Sequence, residues 1–194
     1  MTRTLLASTV PVRPGRPTLL LALAACGLVA CGAPLVEGTG RPLPAFAGRS
    51  TELFDDSIEA SAVGIALDPT GDPRADRTLR ERAQVGDAVV RARVTTVTAK
   101  QEDQGTHYIV GLQSLETLAG RFPPKETFEL VVGRTSPSAG IFQRLESAVV
   151  GKTFVAFIRT FVRPDGDAET HFHLAPDTKE EAGAVRDAAA LQGL

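Results

Sequence analysis

Cysteine is almost missing from this chain. Of its 194 residues only Cys26 and Cys31 carry a thiol, so no disulfide can staple the region beyond residue 31 and no Cys-His pair can form there. That region must fold on its apolar core, and a domain of about 150 residues buries close to 70% of its extended-chain surface, enough to do so. Basic residues are also few. Setting aside the first 30 residues, which hold Arg3, Arg13 and Arg16 and no acid, leaves 18 Lys and Arg against 23 Asp and Glu. A balance of about −5, with aromatics at 5%, offers neither a cationic cluster for phosphate backbones nor an aromatic-plus-basic groove, which excludes nucleic acid as a partner. Long apolar runs are lacking too: Leu19–Ala30 covers 12 residues, against about 20 for a helix that crosses a bilayer. No G-x-S-x-G elbow, no G-x-x-x-x-G-K-[ST] or G-x-G-x-x-G loop and no D-x-D-x-D-G loop occurs. Nucleophilic hydrolysis, phosphate cradling and a calcium loop therefore have no sequence support, and neither a cofactor nor an enzymatic activity is expected. What is present, 43% hydrophobic and 23% charged residues, fits one globular domain.

The amino terminus is an address. Residues 1–17 carry three arginines and three prolines, and the apolar run follows, which is the order of a basic n-region and an h-region. At its end, Leu28-Val29-Ala30-Cys31 resembles the lipobox of bacterial lipoprotein signal peptides: a branched apolar residue, a small residue, then cysteine. Leu23-Ala24-Ala25-Cys26 matches the same pattern. Cutting before Cys26 leaves the seven apolar residues Leu19–Ala25, whereas cutting before Cys31 leaves twelve, so Cys31 is the favoured site. The resemblance implies a leader of residues 1–30, a thioether from the Cys31 sulfur to diacylglycerol and an acylated α-amine. Two or three fatty chains, at roughly 0.8 kcal/mol per buried methylene, hold firmly. Gly32 is not the aspartate that retains many such proteins at the inner membrane, so the resemblance points to the outer membrane of the cell envelope.

From Gly32 to Ser50, four glycines and three prolines in 19 residues predict a tether, which with Cys31 spans 31–50. Residues 51–84 read as a helical extension. Val63, Ile65 and Leu67 alternate as in a short strand, and Asp72-Pro73 is a capping signal for a helix from Pro73 to about Gln84. Beyond Gly86 the period changes to two. Strands are predicted at Ala88–Thr98, Thr106–Leu115 and Thr127–Val132, then a helix at Ile141–Val149, and strands at Thr153–Arg163 and Ala168–Leu174 about the turn Pro164-Asp165-Gly166-Asp167. Thr153–Arg163 is apolar on both faces, as a central strand should be. Thr178-Lys179-Glu180-Glu181 forms a capping box that opens a last helix, with Ala182, Val185 and Ala189 inward.

The fold class is thus mainly β with flanking helices (α+β). Three strands, a helix and two strands is the order of the OB-fold, a five-stranded partly open barrel. Val85–Leu174 resembles it, and resembles its netrin-like, metalloprotease-inhibitor-like branch through Gly86-Asp87-Ala88-Val89-Val90-Arg91-Ala92-Arg93-Val94, Leu118-Ala119-Gly120 and Val150-Gly151-Lys152-Thr153-Phe154-Val155-Ala156-Phe157. The domain would span 85–194, and an open five-stranded sheet is the structural alternative. The inhibitors of that branch use a free amino-terminal cysteine locked by disulfides. Here the candidate cysteine is acylated, unpaired and distant, so that mechanism does not carry over.

Few residues offer chemistry. His171 and His173 share a strand face and could present two imidazoles to zinc, with Glu169 on the same face, but His107 is poorly placed as a third ligand; the simpler reading is outward polar residues alternating with Phe172 and Leu174. Asp55-Asp56 with Glu52 and Glu59 could be read as an acidic cation site, but without a D-x-D-x-D-G loop the simpler reading is a solvated helix face. Arg91 and Arg93 read as exposed edge charges, or as a site for an anion. The sequence therefore predicts a membrane-anchored envelope lipoprotein whose domain is a non-catalytic module for another envelope protein or a glycan. A netrin-like protease inhibitor or a small-ligand-binding envelope protein is the alternative.

Overall fold

The computed structural model describes residues 42–65, 71–102 and 105–191. The leader, Cys26, Cys31 and most of the tether lie outside the described residues. Along the chain come α1 (Arg49–Leu53), β1 (Ser57–Ile58), a 3-10 turn (Ala60–Val63), α2 (Arg77–Val85), β2 (Ala88–Glu102), β3 (Gly105–Gly120), β4 (Thr127–Val132), α3 (Ala139–Val149), β5 (Thr153–Val162), β6 (Ala168–Pro176) and α4 (Lys179–Ala190). The class is α+β. One six-stranded sheet runs in the order β1-β6-β5-β2-β3-β4 and curls into a half-barrel. Its ladders are antiparallel except β1 with β6, which is parallel.

The strand count corrects the expectation of five. The extra strand is β1, two residues that no sequence period could announce, paired as Ser57 with His173 and Ile58 with Leu174. Among the described residues no ladder joins β4 to β6, so the barrel is open on that side. Curl comes from three irregularities in the β2–β3 ladder, between Val89 and Val90, Arg91 and Ala92, and Val94 and Thr96, each of which adds local twist.

The β-branched and aromatic residues of β2 and β5 are buried on both faces because both faces are covered. Val90, Ala92, Val94, Phe154, Ala156, Phe172 and Leu174 meet Val110, Leu112, Leu130 and Val132 in the enclosed face, which α3 plugs with Phe142 and Val149. On the other face, Val89, Val155, Phe157, Phe161 and Ala175 pack under α1, α2 and α4 through Leu53, Phe54, Leu79, Ala83, Ala182, Val185 and Ala188.

Local chemistry moves some boundaries. Asp72 accepts from the Arg74 amide and Ala75 N–H bonds back to Asp72 O, so Asp72-Pro73 makes a turn; α2 starts at Arg77, where the Asp76 carboxylate accepts from Thr78 N at 2.7 Å. The alternating Val63, Ile65, Leu67 stretch is not a strand where it is described: Ala60–Val63 is a 3-10 turn ended by Gly64 at φ +83°, and Ile65 is exposed, while Leu67 lies outside the described residues. Thr178 caps α4 by accepting from Glu181 N at 3.0 Å, as its capping box implies.

Candidate functional site

The end of the tether is part of the fold. Val162 N–H donates to Pro44 O at 2.9 Å and Ala45 bridges Val162 in parallel, filling the flank of β5 that β2 vacates after its last partner, Ile158. Residues 42–58 therefore form an arm that crosses the end of β5. Pro42, Leu43 and Pro44 lie at the mouth of the half-barrel, and Phe46 lies on the helix-covered face against Phe161, ring centroids 5.0 Å apart.

Two histidines hold that arm. His171 and His173, read from the sequence as outward, are instead 7% and 5% exposed, because the arm covers the β6 face they project from. The His171 ring lies under Phe46, and its Nδ1 is 2.8 Å from Asp56 Oδ2. Asp56, itself at φ +54°, also accepts from Phe172 N at 3.1 Å with its other carboxylate oxygen. His173 Nδ1 sits 3.0 Å from Asp55 Oδ1 and 3.1 Å from Ser57 Oγ, and its Nε2 is 3.0 Å from Glu59 Oε1. Asp55, Asp56 and Glu59 are thus imidazole partners and not a solvated helix face; only Glu52 keeps an exposed role, paired with Arg49. From α2, Arg82 donates its Nε to Leu53 O at 2.7 Å and is buried beside the same acids.

The electrostatics follow from this crowding. Burial pushes the Asp55 carboxyl up, but hydrogen bonds from His173 and Ser57 outweigh it and hold the group below its ordinary value. Burial pulls the Arg82 guanidinium down, against the pull of Asp55 and Glu59. On α4, burial and then the charges of Glu59 and Asp76 push Glu181 up to about 7.

Among the described residues no group of three His, Cys, Asp or Glu side chains is placed to hold a metal ion. His171 and His173 are divided between separate acids, and His107 stands at the far end of the β2–β3 hairpin with Glu102 3.7 Å away. Arg91 is not an open anion site either. Its guanidinium is taken by Asp177 through two 2.7 Å hydrogen bonds and reaches Glu116 at 3.3 Å, while Glu116 also pairs with Arg186. Those hydrogen bonds, Asp177 first, push Arg91 further up. Arg93 is exposed.

Open space lies elsewhere. At the mouth of the half-barrel a groove of about 220 Å³ is walled by Pro42, Leu43 and Pro44 on one side and by Phe122, Pro124, Phe128, Leu130 and Ile158 on the other, with Asp87, Glu129, Thr160 and Thr170 as its polar points. A second, more polar hollow of about 550 Å³ adjoins it past Asp87 and Phe122, beside Arg121 and Arg159. No pattern in the sequence marks this groove, since its walls come from separate segments spread along the chain. Among the described residues no helix is long and apolar enough to cross a membrane. Compared with family models, with curated proteins and with solved structures, the chain matches none.

Proposed function

We propose that this protein is a cell-envelope lipoprotein, acylated on Cys31 and sorted to the outer membrane, whose OB-like domain is a non-catalytic binding module. The lipobox-like Leu28-Val29-Ala30-Cys31 supports the anchor. The OB-like reading is supported by the order β6-β5-β2-β3-β4, with α3 inserted before β5 and plugging the enclosed face. The observation that carries the binding role is the apolar groove at the mouth, the place where a partly open barrel can admit a side chain or a small ligand. Its few polar points, the Asp87 and Glu129 carboxylates among them, suit orienting a guest. An envelope protein or a glycan remains the partner proposed.

A photo-crosslinking residue at Thr170, inside the groove, tests this in intact envelopes, with the same residue at exposed Val131 as reference. A discrete adduct at position 170 alone, lost when Thr160→Trp, opposite Thr170, fills the groove, is the expected result. Equal adducts at both positions, or none at 170, would remove the groove from the account.

A further inference from the structure

Each buried histidine that holds the arm stands between two carboxylates. His173 has Asp55 at Nδ1 and Glu59 at Nε2, both at 3.0 Å. His171 has Asp56 at Nδ1 at 2.8 Å, and its Nε2, buried and without a hydrogen-bond partner, is 3.7 Å from Glu169 Oε2. A neutral imidazole has one N–H and can donate to one of two flanking acceptors; a ring with both protons can serve both. In the first case a ring lone pair faces a carboxylate, which is repulsive; at His171 Nε2 it also lacks a donor, whereas at His173 Nδ1 the Ser57 hydroxyl, 3.1 Å away, can supply one. In the second, His173 makes two charge-assisted hydrogen bonds, while His171 makes one to Asp56 and turns its other N–H toward Glu169 as an ion pair at 3.7 Å.

We infer that the arm, residues 42–58, is a proton-operated clasp: it closes on β6 when His171 and His173 each carry two ring protons, and loosens when they give one up. Every acid involved except Glu169 belongs to the arm or to the residue next to it, so the proton count of two β6 side chains governs whether the arm is attracted or repelled. Other charged groups face these rings as well. His173 is faced by Ser57 from β1 and Phe157 from β5, with Glu181 of α4 and the Arg82 cation of α2, which draws on Asp55 and Glu59, in the same crowded layer. His171 is faced by Phe46 and Phe161 and, from β5, by its register partner Arg159, whose guanidinium lies over the Phe161 ring at 5.3 Å, while Arg163 reaches Glu169 at 4.0 Å; the arginines oppose the added ring protons and the carboxylates favour them. Raising the pH removes ring protons, so the clasp is tighter in acid and looser in base. Glu181, pushed up to about 7, gains its charge beside Glu59 as pH rises through that value and adds to the loosening. Asp55, held below its ordinary value, keeps its charge at the acidic end.

Pro42, Leu43 and Pro44 are a wall of the mouth groove, so an open clasp widens it. That consequence rests on the groove being the binding site; the clasp does not.

Hydrogen exchange on the full-length protein reads the clasp directly. After correction for intrinsic rates, peptides covering 42–58 are expected to exchange about tenfold more slowly at pH 5.5 than at pH 8, a change of about 1.4 kcal/mol in the opening equilibrium, while Val89–Val94 in β2 changes little. Exchanging His171 and His173 for Gln is expected to abolish the difference. Should the double variant fail to fold, nitrogen-detected NMR of the unaltered chain gives the same answer: both ring nitrogens of His171 and His173 protonated at pH 5.5 and one at pH 8. Equal arm protection at the two pH values, or a single-proton tautomer across the range, would overturn the clasp. Crosslinking at Thr170 that fails while the pH effect persists would refute the groove alone.

Discussion

Phe46 lies flat on the imidazole of His171, ring centroids 3.5 Å apart and planes 8° from parallel. The stack joins the last part of a glycine- and proline-rich segment to the outer half of the sheet, and it turns what composition describes as a free linker into a fixed element of the domain. Phe46→Ala removes that face and the contact with Phe161. The expected cost is about 1–2 kcal/mol, and the loss of hydrogen-exchange protection should be confined to residues 42–58. Loss spread evenly over the sheet would show that the arm is not a separate unit.

Glu181 gives a pH dependence whose sign is fixed. A carboxyl with a raised folded-state value binds more protons when folded than unfolded, so stability declines as pH rises from its ordinary 4.5 to about 7 and is level above that. Glu181→Gln should flatten this part of the profile and add roughly 1 kcal/mol at pH 8, after allowance for solvent screening. Asp55 acts in the opposite sense: its stabilisation is present above its unfolded value and is lost as pH falls through the depressed folded value, so Asp55→Asn should destabilise at pH 7 and be neutral in strong acid. Denaturant midpoints across pH 3–9 check both.

Gly120 combines a left-handed backbone with close packing. It has φ +97°, and a Cβ there would stand 2.4 Å from Asp87 O and 2.5 Å from Ala88 Cα. Gly120→Ala should cost about 2–4 kcal/mol in thermal unfolding. Gly166, at φ +96° with nothing near its would-be Cβ, isolates the backbone part, and Gly166→Ala should cost about 1 kcal/mol.

Phe142 plugs the enclosed face from α3 and is fully buried. Phe142→Ala should cost about 3–5 kcal/mol by denaturant titration, since a half-barrel filled from one end has nothing behind the plug to collapse inward. A cost below about 1 kcal/mol would mean that α3 is not the plug.

Much of the sheet was legible because its signals are local. The two-residue period in Val90, Ala92 and Val94, the doubly apolar Phe154–Phe161 stretch, the Pro-Asp-Gly-Asp turn and the Thr178 capping box each depend on neighbours in the chain. β1 was not legible, since a two-residue strand has no period and exists because Ser57 and Ile58 meet His173 and Leu174 across the fold. The histidines were misplaced for a related reason. Alternation tells which face His171 and His173 project from, but not that a segment more than a hundred residues earlier covers that face. Nor could Asp55 and Asp56 be assigned to imidazoles by spacing: their partners are set by the parallel register of β1 on β6.

Acylation at Cys31 is read from the mass of the mature amino-terminal peptide in purified envelopes. A chain beginning at Cys31 and carrying diacylglycerol is expected, with Cys31→Ser releasing the protein from the membrane fraction. An unmodified amino terminus downstream of residue 31 would contradict it.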